Sequence, residues 1–403
     1  MPTALTLGSQ GIPYGLALQR YYDSGTRMQN GPLGFGWTHN LAITAHSDSD
    51  AFEGMGVNSP INGAVAIVAS FVAQDILNNG MTTPKPIDRV VITSLVQRWV
   101  MDQLTSNIVA VTQPGTVEHF TKLADGSYNP PLGSATLLTL GNGTFTTVTK
   151  NQVTLSFNAN GDLATWRNPD GVAMVLTYSG TPPLLTSVTN SLGRSLSLSY
   201  AGTRIAGVAD GTGRSVSYQY DAAGNLTFFT DPLGQVTRYA YDVPGRLTQL
   251  FYPALPGTAF VTNTYDGLGR VRTQANANLA TWQYFFAGAR SEEDDPFGTR
   301  HVLYNAPRGK TLIEIQDLQG LDRVTTTTID GLDRVTSVLQ PEGSGGTFAY
   351  DGNSNVVTAT LLPKPGSVLS PLVTRLSYDP VFNKPTRITD SRGSVSRSDG
   401  TDE

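Results

Sequence analysis

Two hydrophobic patterns divide the chain. Over most of its length, short runs in which apolar and polar residues alternate are broken by glycine, proline, asparagine and aspartate, the pattern of half-buried strands joined by tight turns. Two segments break this rhythm. Ile61 to Leu77 and Asp88 to Leu104 lack turn clusters and carry apolar residues at helical spacing, among them Val90, Val91, Leu95, Trp99, Met101 and Leu104. Asn78-Asn79-Gly80 reads as the stop of the first helix, and Lys85-Pro86-Ile87-Asp88 as the start of the second. The pattern predicts four zones: an N-terminal β segment over 1–56, a helical hairpin over 57–106, a β array over 107–390 and a disordered tail over 391–403. In the first zone, Leu16 to Asp23 leads into Gly31-Pro32-Leu33-Gly34-Phe35-Gly36-Trp37-Thr38-His39-Asn40, a tight closure buttressed by its aromatic residues.

The array is an internal repeat. Tyr200, Tyr220-Asp221, Tyr241-Asp242, Tyr265-Asp266, Tyr304-Asn305, Tyr350-Asp351 and Tyr378-Asp379 recur at related spacings, with Ile329-Asp330 filling the gap before Tyr350. Tyr220-Asp221-Ala-Ala-Gly224-Asn225-Leu226 returns as Tyr241-Asp242-Val-Pro-Gly245-Arg246-Leu247 and as Tyr265-Asp266-Gly-Leu-Gly269-Arg270-Val271. It returns again as Asp330-Gly-Leu-Asp333-Arg334-Val335. In the common form, Y-D-x-x-G-R/N-L/V, tyrosine ends a strand and aspartate accepts backbone N–H groups round the turn. Glycine supplies a left-handed residue, and the apolar residue starts the return strand. Asn168-Pro169-Asp170-Gly171, Asp231-Pro232-Leu233-Gly234 and Asp295-Pro296-Phe297-Gly298 read as a second, type I turn. A period near 21 residues is then one hairpin per repeat. A single hairpin is marginal in water, so successive hairpins must pair into a long coiling sheet. A β-propeller, with blades of roughly 40–50 residues, fits the irregular spacing less well.

This grammar resembles the YD repeats of the RHS family, which includes bacterial Rhs polymorphic toxins, the cocoon-forming subunits of Tc toxins and the teneurins. Gly11-Ile12-Pro13-Tyr14, Arg20-Tyr21-Tyr22-Asp23-Ser24 and Asn30 to His39 are similar to the segment that often precedes the repeats in bacterial members. The resemblance covers 8–48 and about 150–390, and marks the chain as a partial member. It implies a mainly β fold, a spiralling antiparallel hairpin array with a short inserted α-hairpin. It also implies a hollow β shell that encloses or displays a toxic effector in a secreted or surface protein. Family toxins close the shell with a DPxGL-type core segment followed by aspartate-dependent self-cleavage. Here Asp231 and Asp295 lie inside the array with repeats following, so the expectation is the front of a shell without its cleavage module or cargo. The implied partner is an effector domain or the remainder of the shell.

Composition narrows the chemistry. Gly (42) and Pro (24) exceed average usage, charged residues make only 15%, and Tyr (16) and Phe (15) are well represented, as suits a turn-dense β protein. A formal charge of −5 argues against nucleic acid or an anionic membrane as the main partner. Without cysteine there is no disulfide, thiolate metal site or Cys nucleophile. The start of the chain reads as no signal peptide, and the apolar stretch at 64–73 is too short to span a membrane. The four histidines, His39, His46, His119 and His301, lack zincin spacing, and His39 reads as a packed residue. Glu292-Glu293-Asp294-Asp295 reads as a solvated acidic loop. Gly309-Lys310-Thr311 resembles the end of a phosphate loop, but Tyr304 stands where its first glycine is needed; no G-x-S-x-G elbow occurs. The expectation is a scaffold with no enzymatic activity, cofactor or metal. The alternative is a binding module whose aromatic rows contact a cell-surface glycan or protein.

Overall fold

A computed structural model describes residues 3–7, 11–51, 60–79, 87–123 and 125–397. Its dominant feature is a 25-stranded sheet from Leu137–Gly141 to Val395–Arg397, in which sheet order is chain order. Local hairpin pairing produces this meander: each strand ends in a turn that delivers the chain back beside itself, so no crossover is needed. The chain divides into two compact units, 1–40 with 172–403, and 41–171.

In the first unit the sheet contributes 21 strands, from Ala173–Ser179 onward. Period-two sequences set its faces. In Ser195–Ala201, Leu196 and Leu198 are buried while the serines between them are not; Val216 and Tyr218 repeat the pattern in Ser215–Tyr220. Against this face lie the strands Thr3–Leu7, Leu16–Tyr22 and Trp37–His39, a small antiparallel sheet of their own. Leu16, Leu18, Leu33 and Trp37 are buried there with Leu196, Ile205, Leu226, Phe229 and Tyr239.

The second unit pairs Thr44–Asp48, Ile108–Gln113, Thr116–Lys122 and Tyr128–Asn129 in one sheet, and carries the first four strands of the long one. Ile43, Ala45, Ile108, Val111, Phe120, Leu155, Phe157 and Leu163 form its core. Gly161 has φ +80° and a side chain there would meet the Ala45 carbonyl, so only glycine allows the bond from the Ala45 amide to the Gly161 carbonyl (2.8 Å). Helices α1 (Pro60–Asn79) and α2 (Ile87–Ser106) lie between Asp48 and Ile108, which are cross-strand partners. The helical pair is therefore an insertion in the loop of a β-hairpin. Asn107 anchors its return: the Asp50 amide donates to Asn107 Oδ1, and Asn107 Nδ2 donates to the Ala51 carbonyl, both at 3.1 Å.

Three expected boundaries move. The 1–56 segment is split: residues up to 40 join the repeats, while Thr44–Asp48 pairs with Ile108–Gln113. Buried contacts across some 200 residues cause this, and local pattern does not encode them. The array does not begin at 107, because the strands over 108–129 form the separate sheet. The tail expected from 391 is ordered at its start. Asp390 accepts the Arg392 and Ser394 amides, and Val395–Arg397 pairs with Pro385–Thr389. Backbone pairing, a capped turn and one buried apolar residue, Val395, suffice there. Residues 398–403, Gly80 and Lys85-Pro86 lie outside the described residues; the first helix ends at Asn79 and the second starts at Ile87.

Candidate functional site

The motif residues are joined by one recurring set of bonds. Asp266 Oδ1 accepts the Leu268 and Arg270 amides (2.9 and 3.0 Å), and its Oδ2 accepts Arg270 Nε (2.8 Å). Asp330 does the same with Leu332 and Arg334, and Asp351 with Asn353 and Asn355. The Asp221 carboxylate accepts from the Asn225 amide and side chain, while that of Asp379 accepts the Val381 and Phe382 amides. The Arg270 amide beside Asp266 and the Arg334 side chain beside Asp330 hold both carboxyls below the ordinary value. Gly224, Gly245 and Gly269 have φ between +74° and +89°; Asp333 and Ser354 take the same left-handed position in their repeats.

At Asp231 and Asp295 the expected second turn type is the same turn spelled differently. Asp231 and Asp295 accept amides two and four residues on, as Asp266 does, and the flanking backbone bonds match. The difference lies just beyond the turn. Where tyrosine precedes the aspartate, the return strand carries a bulge, as at Tyr220, Tyr265 and Tyr350; after Asp231 it carries none.

The tyrosine does more than end a strand. Tyr220 donates its hydroxyl to the Ile205 carbonyl (2.7 Å), Tyr241 to Leu226 (2.8 Å), Tyr265 to Leu247 (2.5 Å), Tyr350 to Val335 (2.6 Å) and Tyr378 to Val356 (3.0 Å). Each acceptor is an apolar residue at the start of the return strand of the preceding repeat, the first residue in four cases and the second at Ile205. The motif arginine spans the same step: the guanidinium of Arg246 lies 5.4 Å from the Tyr265 ring centre, and that of Arg334 lies 4.6 Å from Tyr350. Arg246 Nη2 also bonds Asp242 (2.6 Å). Burial pushes these phenols up, to about 12 for Tyr200, so they remain donors at any physiological pH.

Register corrects one assignment. The pair closing the hairpin near 305 is Asn305 with Thr311, so Asn305 stands in the tyrosine position and Tyr304 is one residue out, half-exposed. Between Tyr265 and Tyr304, Arg270 lies 4.9 Å over Phe286, one residue before the closing pair Ala287 with Arg290.

The turn at Asp242 departs for a physical reason. Two residues on stands Pro244, which has no N–H to offer the aspartate. Gly245 N instead donates to Asn225 Oδ1 of the preceding repeat (2.7 Å). Tyr22 fills the altered turn, donating to the Gly245 carbonyl (2.7 Å) and accepting the Leu247 amide (3.0 Å). Here the N-terminal segment is fastened. Trp37 Nε1 donates to the Tyr241 hydroxyl (2.8 Å). Arg20 is 1% exposed, donates twice to the Tyr239 hydroxyl (3.1 and 3.0 Å) and lies 3.6 Å over the Phe229 ring. Turn side chains grip the segment's backbone: Asn190 donates to the Pro13 and Tyr14 carbonyls, Arg204 to Gly31 and Arg214 to Thr6. His39, the cross-strand partner of Arg20, is buried, its Nδ1 has no hydrogen-bond partner among the described residues, and burial lowers its pKa to about 4. The sequence shows Arg20, Tyr22 and Trp37 as strand and turn residues, but nothing local identifies Tyr239, Tyr241 or the 242 turn as their partners.

The acidic run is not a loop. Arg290–Asp294 is a strand, so its carboxylates alternate between faces, and Asp295 caps the following turn. On one face burial raises Glu292, but Arg290, in direct contact, outweighs it and holds the carboxyl low. Burial and then Glu292 push Asp294 up. On the other face Glu293 stands between Tyr284 and His301, and His301 Nε2 lies 2.9 Å from Glu314. Among the described residues no group of three or more histidines and carboxylates could hold a metal ion. No helix there is long and apolar enough to cross a membrane.

No protein-family model matches the chain, and no curated protein matches it. Solved structures do. A crystal structure of TcdB2-TccC3 is 14% identical with a TM-score of 0.28, over 73% of this chain and 20% of that chain. The Photorhabdus luminescens Tc holotoxin pore is 15% identical with a TM-score of 0.28, over 73% and 19%. A porin-like protein from Bacteroides uniformis is 11% identical with a TM-score of 0.18, over 56% and 93%. The chain thus spans about a fifth of the first two chains it matches.

Proposed function

We propose that the chain is a non-catalytic YD/RHS-repeat scaffold, part of a hollow β shell that encloses or displays an effector in a secreted or surface bacterial protein. The observation that carries this reading is the bond from each motif tyrosine to the backbone of the repeat before it. Motif tyrosines and arginines are engaged in joining repeats and motif aspartates in capping turns, so the most recurrent chemistry in the chain is spent on architecture. Residues 11–40 reach along the array as far as the Gly269 turn, where Arg27 lies; beyond it, Ile313, Ile315 and Phe348 are half-exposed and Leu361 and Leu372 exposed. A shell wall whose inner lining comes from elsewhere has this distribution. Its partner is an effector domain or the rest of the shell.

Small-angle scattering and electron microscopy of the full chain test the proposal. The expected particle is strongly curved or hollow, with a radius of gyration well above the roughly 21 Å of a solid domain of this length. A compact solid particle overturns it.

A further inference from the structure

The arginines of the turns hold carboxylates: Arg214 bonds Asp210, Arg246 bonds Asp242, Arg270 bonds Asp266 and Arg334 bonds Asp330. Arg20, far more deeply buried, holds none among the described residues. Its Nε and Nη2 donate to the Tyr239 hydroxyl, and its guanidinium lies on the Phe229 ring. A ring face and a neutral hydroxyl stabilise the guanidinium but leave its charge unbalanced. Buried charges are ordinarily paired, and arginine cannot shed its proton to become neutral.

Arg20 Nη1, the Tyr218 hydroxyl and His39 Nδ1 are closed to solvent and have no hydrogen-bond partner among the described residues. The first two lie together. The Tyr218 ring centre is 5.5 Å from that of Phe229, the ring that carries the guanidinium. Burial raises the Tyr218 phenol, and the Arg20 charge beside it offsets part of that rise, so Tyr218 keeps its hydrogen. His39 is the cross-strand partner of Arg20 and leaves the N-terminal strands on the same face.

Hydrogens outnumber acceptors in this cluster. Arg20 Nη1 and Tyr218 bring theirs unbonded, and Tyr239, already accepting twice from Arg20, must aim its own elsewhere. A water molecule accepting from Arg20 and Tyr218 would add two more hydrogens, of which His39 Nδ1 could take only one. An anion accepts from every donor and balances the charge as well. One unpaired guanidinium calls for a single negative charge, and a close-packed core favours a single atom over an oxyanion.

We propose that Arg20 Nη1 and the Tyr218 hydroxyl hold a monatomic anion, chloride under physiological conditions, between the N-terminal strands and the repeat sheet. The ion bridges the two, because Arg20 belongs to the segment that covers the array and Tyr218 to the array itself.

Thermal unfolding of the full chain in sodium chloride and in sodium gluconate at equal ionic strength tests it, gluconate being too large to enter. The melting temperature is expected to rise by about 2–3 °C for each tenfold increase in chloride above its dissociation constant, and to stay level in gluconate. Tyr218→Phe keeps the ring and removes one donor, so at least about tenfold more chloride should be needed for the same rise. Arg20→Met should abolish the chloride dependence. Should Arg20→Met fail to fold, crystals of the wild type grown in bromide decide: an anomalous bromine peak is expected within bonding reach of Arg20 Nη1 and Tyr218 Oη. A water molecule or no peak at that place, a wild type indifferent to chloride, or a chloride dependence unchanged in Tyr218→Phe overturns the proposal.

Discussion

The phenol of a repeat tyrosine and the carboxylate of its aspartate act on different parts of the chain. The carboxylate works within five residues, collecting the amides that a tight turn leaves without partners. The hydroxyl works across repeats, donating to a backbone carbonyl of the repeat before. His39 makes the folded state sensitive to acid. Its folded value of about 4 lies below the ordinary 6.5, so the unfolded chain binds a proton the folded chain refuses. This contribution is whole above pH 6.5 and is lost as pH falls toward 4, by a few kcal/mol in all. Asp210 opens a second window. Burial raises it, but bonds from Thr212 and Arg214 outweigh burial and hold it at about 2, so its share is present above its ordinary 3.8 and lost on further acidification. Urea unfolding from pH about 7 to about 4 should show stability falling in the wild type and a flatter profile in His39→Gln. Equal slopes would show that His39 does not carry the effect.

Turns that look alike in the sequence differ in what surrounds them. Gly234 and Gly245 both have positive φ, at +79° and +74°. Nothing stands within 4 Å of a Cβ on Gly234, whereas one on Gly245 would meet the Arg27 carbonyl, with Phe35 Cβ at 2.9 Å. Gly234→Ala should therefore cost only the left-handed penalty, about 1 kcal/mol. Gly245→Ala adds a clash with the N-terminal segment and is expected to cost at least about twice that and to speed proteolysis within residues 11–40. Equal melting temperatures for the two variants would refute the fastening described at this turn. The aspartate and glycine roles were legible because they are local. The identity of the two turn spellings was not, since it rests on backbone bonds that leave out the position held by Pro232 in one turn and Ala222 in the other.

Residues 1–40 and the repeats behave as one folded body because the segment provides the cover that the early strands lack. Removing it would bare Leu196, Val208, Phe229 and Tyr239, all now buried, and leave the turn side chains Asn190 and Arg204 without their backbone acceptors. A chain lacking residues 1–40 should bind a hydrophobic dye strongly and aggregate at concentrations where the full chain stays dispersed. A dispersed truncated chain that binds no dye would show that the segment is dispensable to the core.

What the sequence determined by itself is what local chemistry encodes: hairpin repeats, their turn residues and the helical insertion each arise from contacts within about 25 residues. What only the tertiary structure decided is how those pieces share one core. Arg20 meets Tyr239 and Tyr22 meets Gly245 across more than 200 residues of chain, and Asn305 displaces Tyr304 from the repeat register. Periodicity cannot announce such pairings, because burial depends on which surfaces meet, and a one-residue change of register turns a side chain to the other face.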